Sequence, residues 1–208
     1  FNADLIQQVF DKYNALALPL TIHFPSQGLF SKIPVRTIAD LNGLKMRSWS
    51  KIQAEHLTVL GASPQVIPWA EAYTALQQGV VDAAITTPSA GLAVGFPEIV
   101  DYLSLLPQGD RSSLLVNKDA WNSLPSDVRT IVLEVAAEAT EKVSAGWDKE
   151  ESMVADLARG KGMTFIAPSA EWTESLVEAL RPTWDAWAES AGAGGVEALQ
   201  RIRTELNK

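Results

Sequence analysis

"LKMRSWSKIQAEHLTVLGASPQVIPWAEAYTALQQGVVDAAIT", residues 44–86, is the stretch whose reading decides the fold. It opens with strand-like alternation: Leu44, Met46 and Ser48 share one face, Lys45, Arg47 and Trp49 the other. Residues 50–62 then take helical spacing, with Ser50 as N-cap and Gly61 just past the end. "PQVIP" (64–68) reads as a second strand, "WAEAYTALQQG" (69–79) as a helix closed by Gly79, and "VVDAAIT" (80–86) as a third strand. Short connections between elements in the order β–α–β–α–β argue for an α/β fold with a parallel sheet and crossover helices.

In a sheet covered by helices both faces are buried, so the direction taken by Arg47 matters. A guanidinium near the carboxyl end of a strand either pairs with an internal Asp or Glu, or faces the crevice where open α/β sheets bind ligands. In the second case it is a forked donor suited to a carboxylate. Trp49 stands beside it, Trp69 follows the second strand, and Thr86 and Thr87 end the third. One cation, two flat apolar surfaces and two hydroxyls at successive strand ends suit a small organic anion.

Outward from this core, residues 3–18 place Leu5, Ile6, Val9, Phe10 and Tyr13 at helical spacing, as the end of an amphipathic helix. "PLTIHFP" (19–25) is a β-type run, while "GLFSKIPVRTIADLNG" (28–43) has the punctuation of a loop. "DYLSLLP", "SSLLVNKDAW" and "MTFIAP" read as further strands. From Ser123 to Arg159 one helix is expected, its stripe formed by Val128, Ile131, Val132, Val135, Ala139, Val143 and Trp147. Such a helix is about 50 Å long, enough for a strut shared by two lobes. A later helical segment holds Pro182, expected to kink or break it.

Composition removes several function classes. The chain has 208 residues, is 47% hydrophobic and 20% charged, and carries a net charge of −8. That balance argues against a nucleic-acid partner, which selects clustered Lys and Arg. Cysteine is absent, which excludes disulfides, thiolate catalysis and zinc–sulfur sites. The first residue is Phe1 rather than Met, as in a processed or truncated product. The two histidines, His23 and His56, are far apart and lack ligand-spaced partners, so no metal or cofactor is expected. No G-x-S-x-G elbow is present. "GAGG" (192–195) follows a helix rather than a strand and reads as a turn, and Glu150 and Glu151 read as solvent-facing. A carboxylate-processing enzyme stays as the alternative, with Glu71 its one candidate general base for a site at Arg47.

"DLNGLKMR" followed by "LGASPQVIPWAEAYTALQQGVVDA" resembles the signature region of the TRAP-type transporter solute-binding proteins, the DctP-like extracytoplasmic receptors. "LVNKDAWNSLPSDVRTIVLEVAAEA" and "FIAPSAEW…LRPTWDAWAESAGAGGVEALQRI" are also similar. The resemblance implies a periplasmic-binding-protein-like architecture of two α/β lobes joined by a long bridging helix, with the first lobe incomplete in this sequence. On that scheme residues 1–20 belong to lobe I and 21–105 to lobe II. Residues 106–145 return to lobe I with the start of the bridging helix, and 146–208 hold its remainder and a C-terminal segment on lobe II. It further implies a monomeric periplasmic receptor that captures a small organic acid and passes it to a TRAP membrane permease. Arg47 stands at the family's carboxylate-binding arginine, Trp69 at its ligand-facing aromatic, and Thr86 and Thr87 in its ligand-contacting segment. Gln27 falls where the sialic-acid-binding branch has a second arginine, which favours a monocarboxylate. Ile85 and Thr86 stand where some 2-oxoacid-binding members have Glu and Trp, so a bridging metal is not expected.

Overall fold

The computed structural model describes residues 7, 9–23, 26–107 and 111–205. In chain order the strands are β1 (Ala15–His23), β2 (Gln27–Ser31), β3 (Lys45–Ser48), β4 (Ser63–Val66), β5 (Ala83–Thr86), β6 (Tyr102–Leu106), β7 (Arg111–Asn117) and β8 (Thr164–Ile166). The helices are α1 (Lys51–Val59), α2 (Ala72–Gln77), α3 (Pro88–Val94), α4 (Lys118–Ser123), α5 (Ser126–Gly160), α6 (Ala170–Ser190) and α7 (Ala193–Glu205). The chain divides into two compact units, Phe1–Pro25 with Gln108–Met153, and Ser26–Pro107 with Val154–Lys208.

The larger unit is built on a six-stranded sheet of order β4-β3-β5-β2-β6-β8. β3 pairs in parallel with β4 and β5, and β6 pairs in parallel with β8. The sheet is nevertheless mixed, because β2 runs antiparallel to both of its neighbours, β5 and β6. That central strand lies where the sequence reads as loop. Gly28 and Ser31 look like punctuation, but Gly28 is required by packing: a Cβ there would sit 2.8 Å from Leu103 Cδ1. Leu29 and Phe30 are fully buried, one on each face of the sheet. Long-range pairing on both sides thus overrides weak local propensity.

Alternation along the strands sorts the core into two layers. Phe30, Ala84 and Leu103 pack with Leu76, Phe96, Val154 and Ala158 on one face. Leu29, Met46 and Ile85 pack with Leu57, Leu60, Trp172 and Leu176 on the other. Each large side chain so buried contributes roughly 1.5–3 kcal/mol. Helix α1 is capped as its sequence demands: Ser50 accepts from the Gln53 N–H, and Gly61 follows at φ 88°. Helix α6 runs on through Pro182, so the expected break does not occur. Its apolar face, with Trp172 and Leu176 buried, is anchored on the sheet.

In the smaller unit β1 and β7 form an antiparallel pair. Helical backbone ends by residue 11, and the strand begins at Ala15, earlier than the sequence suggests. Asn14 takes a left-handed φ of 51°, and the Gln7 amide binds across the turn. Its Nε2 donates to the Ala15 carbonyl at 3.0 Å, and its Oε1 accepts from the Ala17 N–H at 2.9 Å. Leu5 and Ile6 lie outside the described residues. Helix α5 has the anticipated length, although it starts at Ser126, after the separate short helix α4. Of its expected apolar stripe, Val128, Ile131 and Val135 are exposed and the other four half-buried, while the residues the helix buries are Ala136, Val154 and Ala158. Spacing marks a face that would gain by burial; it does not supply the surface that buries it.

Gly91, in α3, lies against the ring of Phe30, where a Cβ would come within 2.3 Å of Cε2. That ring is wholly buried and meets Phe96 edge-on at 5.3 Å, so it has no room to yield. Gly91→Ala should therefore destabilise the fold by about 1–3 kcal/mol despite the better helix propensity of alanine, as read from urea unfolding. On α1, burial pushes the His56 imidazole pKa below its ordinary value. The unfolded chain then binds a proton that the fold resists, so this contribution to stability is present above about pH 6.5 and declines as pH falls below it. His56→Gln should flatten the acid limb of a melting-temperature profile.

Candidate functional site

Arg47 lies on β3 between β4 and β5, and its side chain emerges on the face that carries Ala84 and Phe96. Its Nε–H donates to the Ile67 carbonyl at 2.9 Å, and Nη1 donates to the Ile85 carbonyl at 3.2 Å. The guanidinium carbon lies 5.7 Å from the Trp69 ring centroid, in cation–π range. Trp69 in turn packs on Phe96 at 5.8 Å, and Phe96 on Phe30. A stack of rings thus connects the cation to the core.

The charge itself is not matched. Arg47 is 4% exposed and is the one buried charged side chain among the described residues. It forms no ion pair among them. Two neutral carbonyls satisfy two of its five N–H donors and leave the rest of the fork without a described protein partner. Burial lowers its pKa from the ordinary arginine value, since desolvation penalises the charged form. The guanidinium stays protonated all the same.

The strand register places the other candidates at this edge of the sheet. Thr86 ends β5 one residue past the carbonyl that Arg47 holds, and Thr87 caps α3 without a side-chain hydrogen bond to the helix. Both are half-buried. Because β2 is antiparallel, its first residues lie beside the carboxyl ends of its neighbours: Gly28 pairs with Thr86, and Gln27 with Leu106. Gln27 is buried, yet alternation with Leu29 turns it toward the face opposite Arg47. Trp49 follows the end of β3 and is 37% exposed, with Trp69 at 43%. Ile52 on α1 and Val66 on β4 are exposed as well.

Three features escaped sequence reasoning. The carbonyls of Ile67 and Ile85 orient the fork, and side-chain types carry no signal for backbone acceptors. Phe96 underlies Trp69, a contact made across a separation in sequence. Gln53 holds Trp49, its Oε1 accepting from the Trp49 N–H at 3.1 Å. The Ser50-x-x-Gln53 spacing is the one legible hint of it. A separate cavity of about 280 Å³ lies between Val35, Arg36, Ser104, Ser169 and Trp172, away from Arg47. Among the described residues no group of His, Asp or Glu could hold a metal ion.

Comparison with known proteins adds ancestry to this geometry. Residues 26–190 match the family described as DctP, bacterial extracellular solute-binding protein, family 7. The C4-dicarboxylate-binding periplasmic protein DctP of Rhodobacter capsulatus is 33% identical over 175 residues, covering 83% of this chain and 53% of that protein. The pyroglutamic-acid-binding extracytoplasmic solute receptor DctP7 of Bordetella pertussis superposes with a TM-score of 0.85 at 26% identity, over 96% of this chain and 66% of that one. A TRAP periplasmic solute-binding protein of Desulfovibrio salexigens, with bound orotic acid, gives 0.83 at 27% identity, over 97% and 66%. The chain spans about half the length of the curated relatives it matches. It belongs to the DctP family of bacterial extracellular solute-binding proteins.

Proposed function

We propose that this chain forms the ligand-holding part of a periplasmic TRAP receptor. In this reading the receptor captures a small organic monocarboxylate through Arg47 and passes it, as a monomer, to a membrane permease. The observation that carries the reading is the buried guanidinium with no acidic partner among the described residues. Taking a charge out of water costs several kcal/mol, a cost that a fold tolerates where a counter-charge arrives from elsewhere. A carboxylate supplies that counter-charge in matching fork geometry.

Support for a single carboxylate comes from Arg47 as the one buried cation among the described residues. Trp49 and Trp69 favour an apolar or ring-bearing acid. Thr86 and Thr87 offer hydroxyls to a further polar group. The bound pyroglutamic and orotic acids of the two neighbouring structures are both ring acids. One Arg–carboxylate pair contributes about 1.5–3 kcal/mol. Apolar burial at roughly 25 cal/mol per Å² supplies more, toward the −8 kcal/mol or so of micromolar affinity. The family is one of solute-binding proteins, which disfavours the enzyme alternative.

Arg47→Ala should weaken carboxylate binding at least tenfold by calorimetry; an unchanged affinity removes the assigned role. Titrations followed by tryptophan fluorescence should rank ring acids above short polar acids, and the reverse order argues against aromatic walls.

A further inference from the structure

The side chain of Gln53 is 5% exposed, and only one end of its amide is used. Oε1 takes the Trp49 N–H, while Nε2 is buried without a hydrogen-bond partner. A stranded donor of this kind destabilises a fold, and a Leu or Met of similar volume would avoid that penalty. Helix capping accounts for part of the arrangement. Gln53 occupies the third helical position after Ser50, and its own N–H is received by Ser50 Oγ at 3.1 Å. In an ordinary capping box, however, the glutamine would reach back to the N–H of the cap residue. Here it reaches one residue further, to Trp49. Ser48 Oγ donates to the Ser50 carbonyl at 2.7 Å, and the Ile67 N–H to the Ser48 carbonyl at 3.2 Å. The backbone that carries Trp49 is therefore tied on both sides, with Gln53 Oε1 on its own N–H.

We infer that Gln53 is a positioning residue for the ligand site: by holding the backbone of Trp49, two residues past Arg47, it sets where the indole stands, and so determines preference for acids with a ring over acids without one. The inference rests on the receptor reading above. Trp49 is tethered through its backbone while its ring is left 37% exposed at the rim. Arg47 is fixed independently, by Ile67, Ile85 and Trp69. Loss of Gln53 should accordingly spare capture of the carboxylate and damage recognition of whatever follows it.

The test uses pyroglutamate as the ring acid and malonate as the ringless one, with affinities measured by calorimetry on the full chain. Gln53→Met should weaken pyroglutamate at least fivefold and change malonate by less than twofold. In a Trp49→Ala background the same substitution should change pyroglutamate affinity by less than twofold, because its effect passes through the indole. Equal losses for both acids, no loss for either, or an undiminished further loss in the Trp49→Ala background each overturn the inference. If Gln53→Met fails to fold, Gln53→Glu, which keeps an acceptor for the Trp49 N–H, carries the test. Retained ring preference in that variant supports the role, and lost preference overturns it. Failure of the unmodified chain to bind either acid, with Arg47 intact, counts instead against the receptor reading.

Discussion

The larger unit is organised around one unbalanced charge. Arg47 sits inside a sheet edge where water has little access, held by two backbone carbonyls and the face of an indole. Carbonyl dipoles and a π-face lower the cost of that burial without cancelling the charge. The parallel pairing of β3 with β4 and β5 makes this possible, because it brings three carboxyl ends to the same place. The acceptor Ile85 lies in β5 and Ile67 directly follows β4, so the fork is oriented by the two strands flanking the arginine.

Around the charge the site is graded from rigid to open. Phe30, Phe96 and Trp69 form a continuous stack from core to rim, which gives the guanidinium a firm floor. Gly91 and Gly28 let backbone and ring approach closely enough for that floor to form. The outer groups, Trp49 and Trp69, are partly exposed. On the proposed function, a fixed ionic anchor and an aromatic rim would separate two tasks: Arg47 would recognise the acid, and the indoles would sort acids by what they carry.

Much of this was legible before any coordinates. The period-2 and period-3.6 patterns between residues 44 and 86, with Ser50, Gly61 and Gly79 as punctuation, place β3, α1, β4, α2 and β5 in order. The long helix α5 and the strand β8 were legible for the same reason. β2 was not, since five residues containing Gly and Ser have no local preference strong enough to show; their strand character comes from partners at Thr86 and Leu106. The apolar stripe of α5 and the proline of α6 show the same limit from the other side, as local signals whose outcome depends on what packs against them.

By itself, then, the sequence determined which residue types stand at successive strand ends: a cation, two indoles and two hydroxyls, in a chain of net charge −8. Only the tertiary structure decided that the cation is buried, that no acidic side chain among the described residues meets it, and that Gln27 turns to the opposite face. The reason is physical. Alternation and capping are written into neighbouring residues, whereas the partner of a charge, the burial of a face and the ownership of a backbone carbonyl are set by segments that meet only when the sheet assembles.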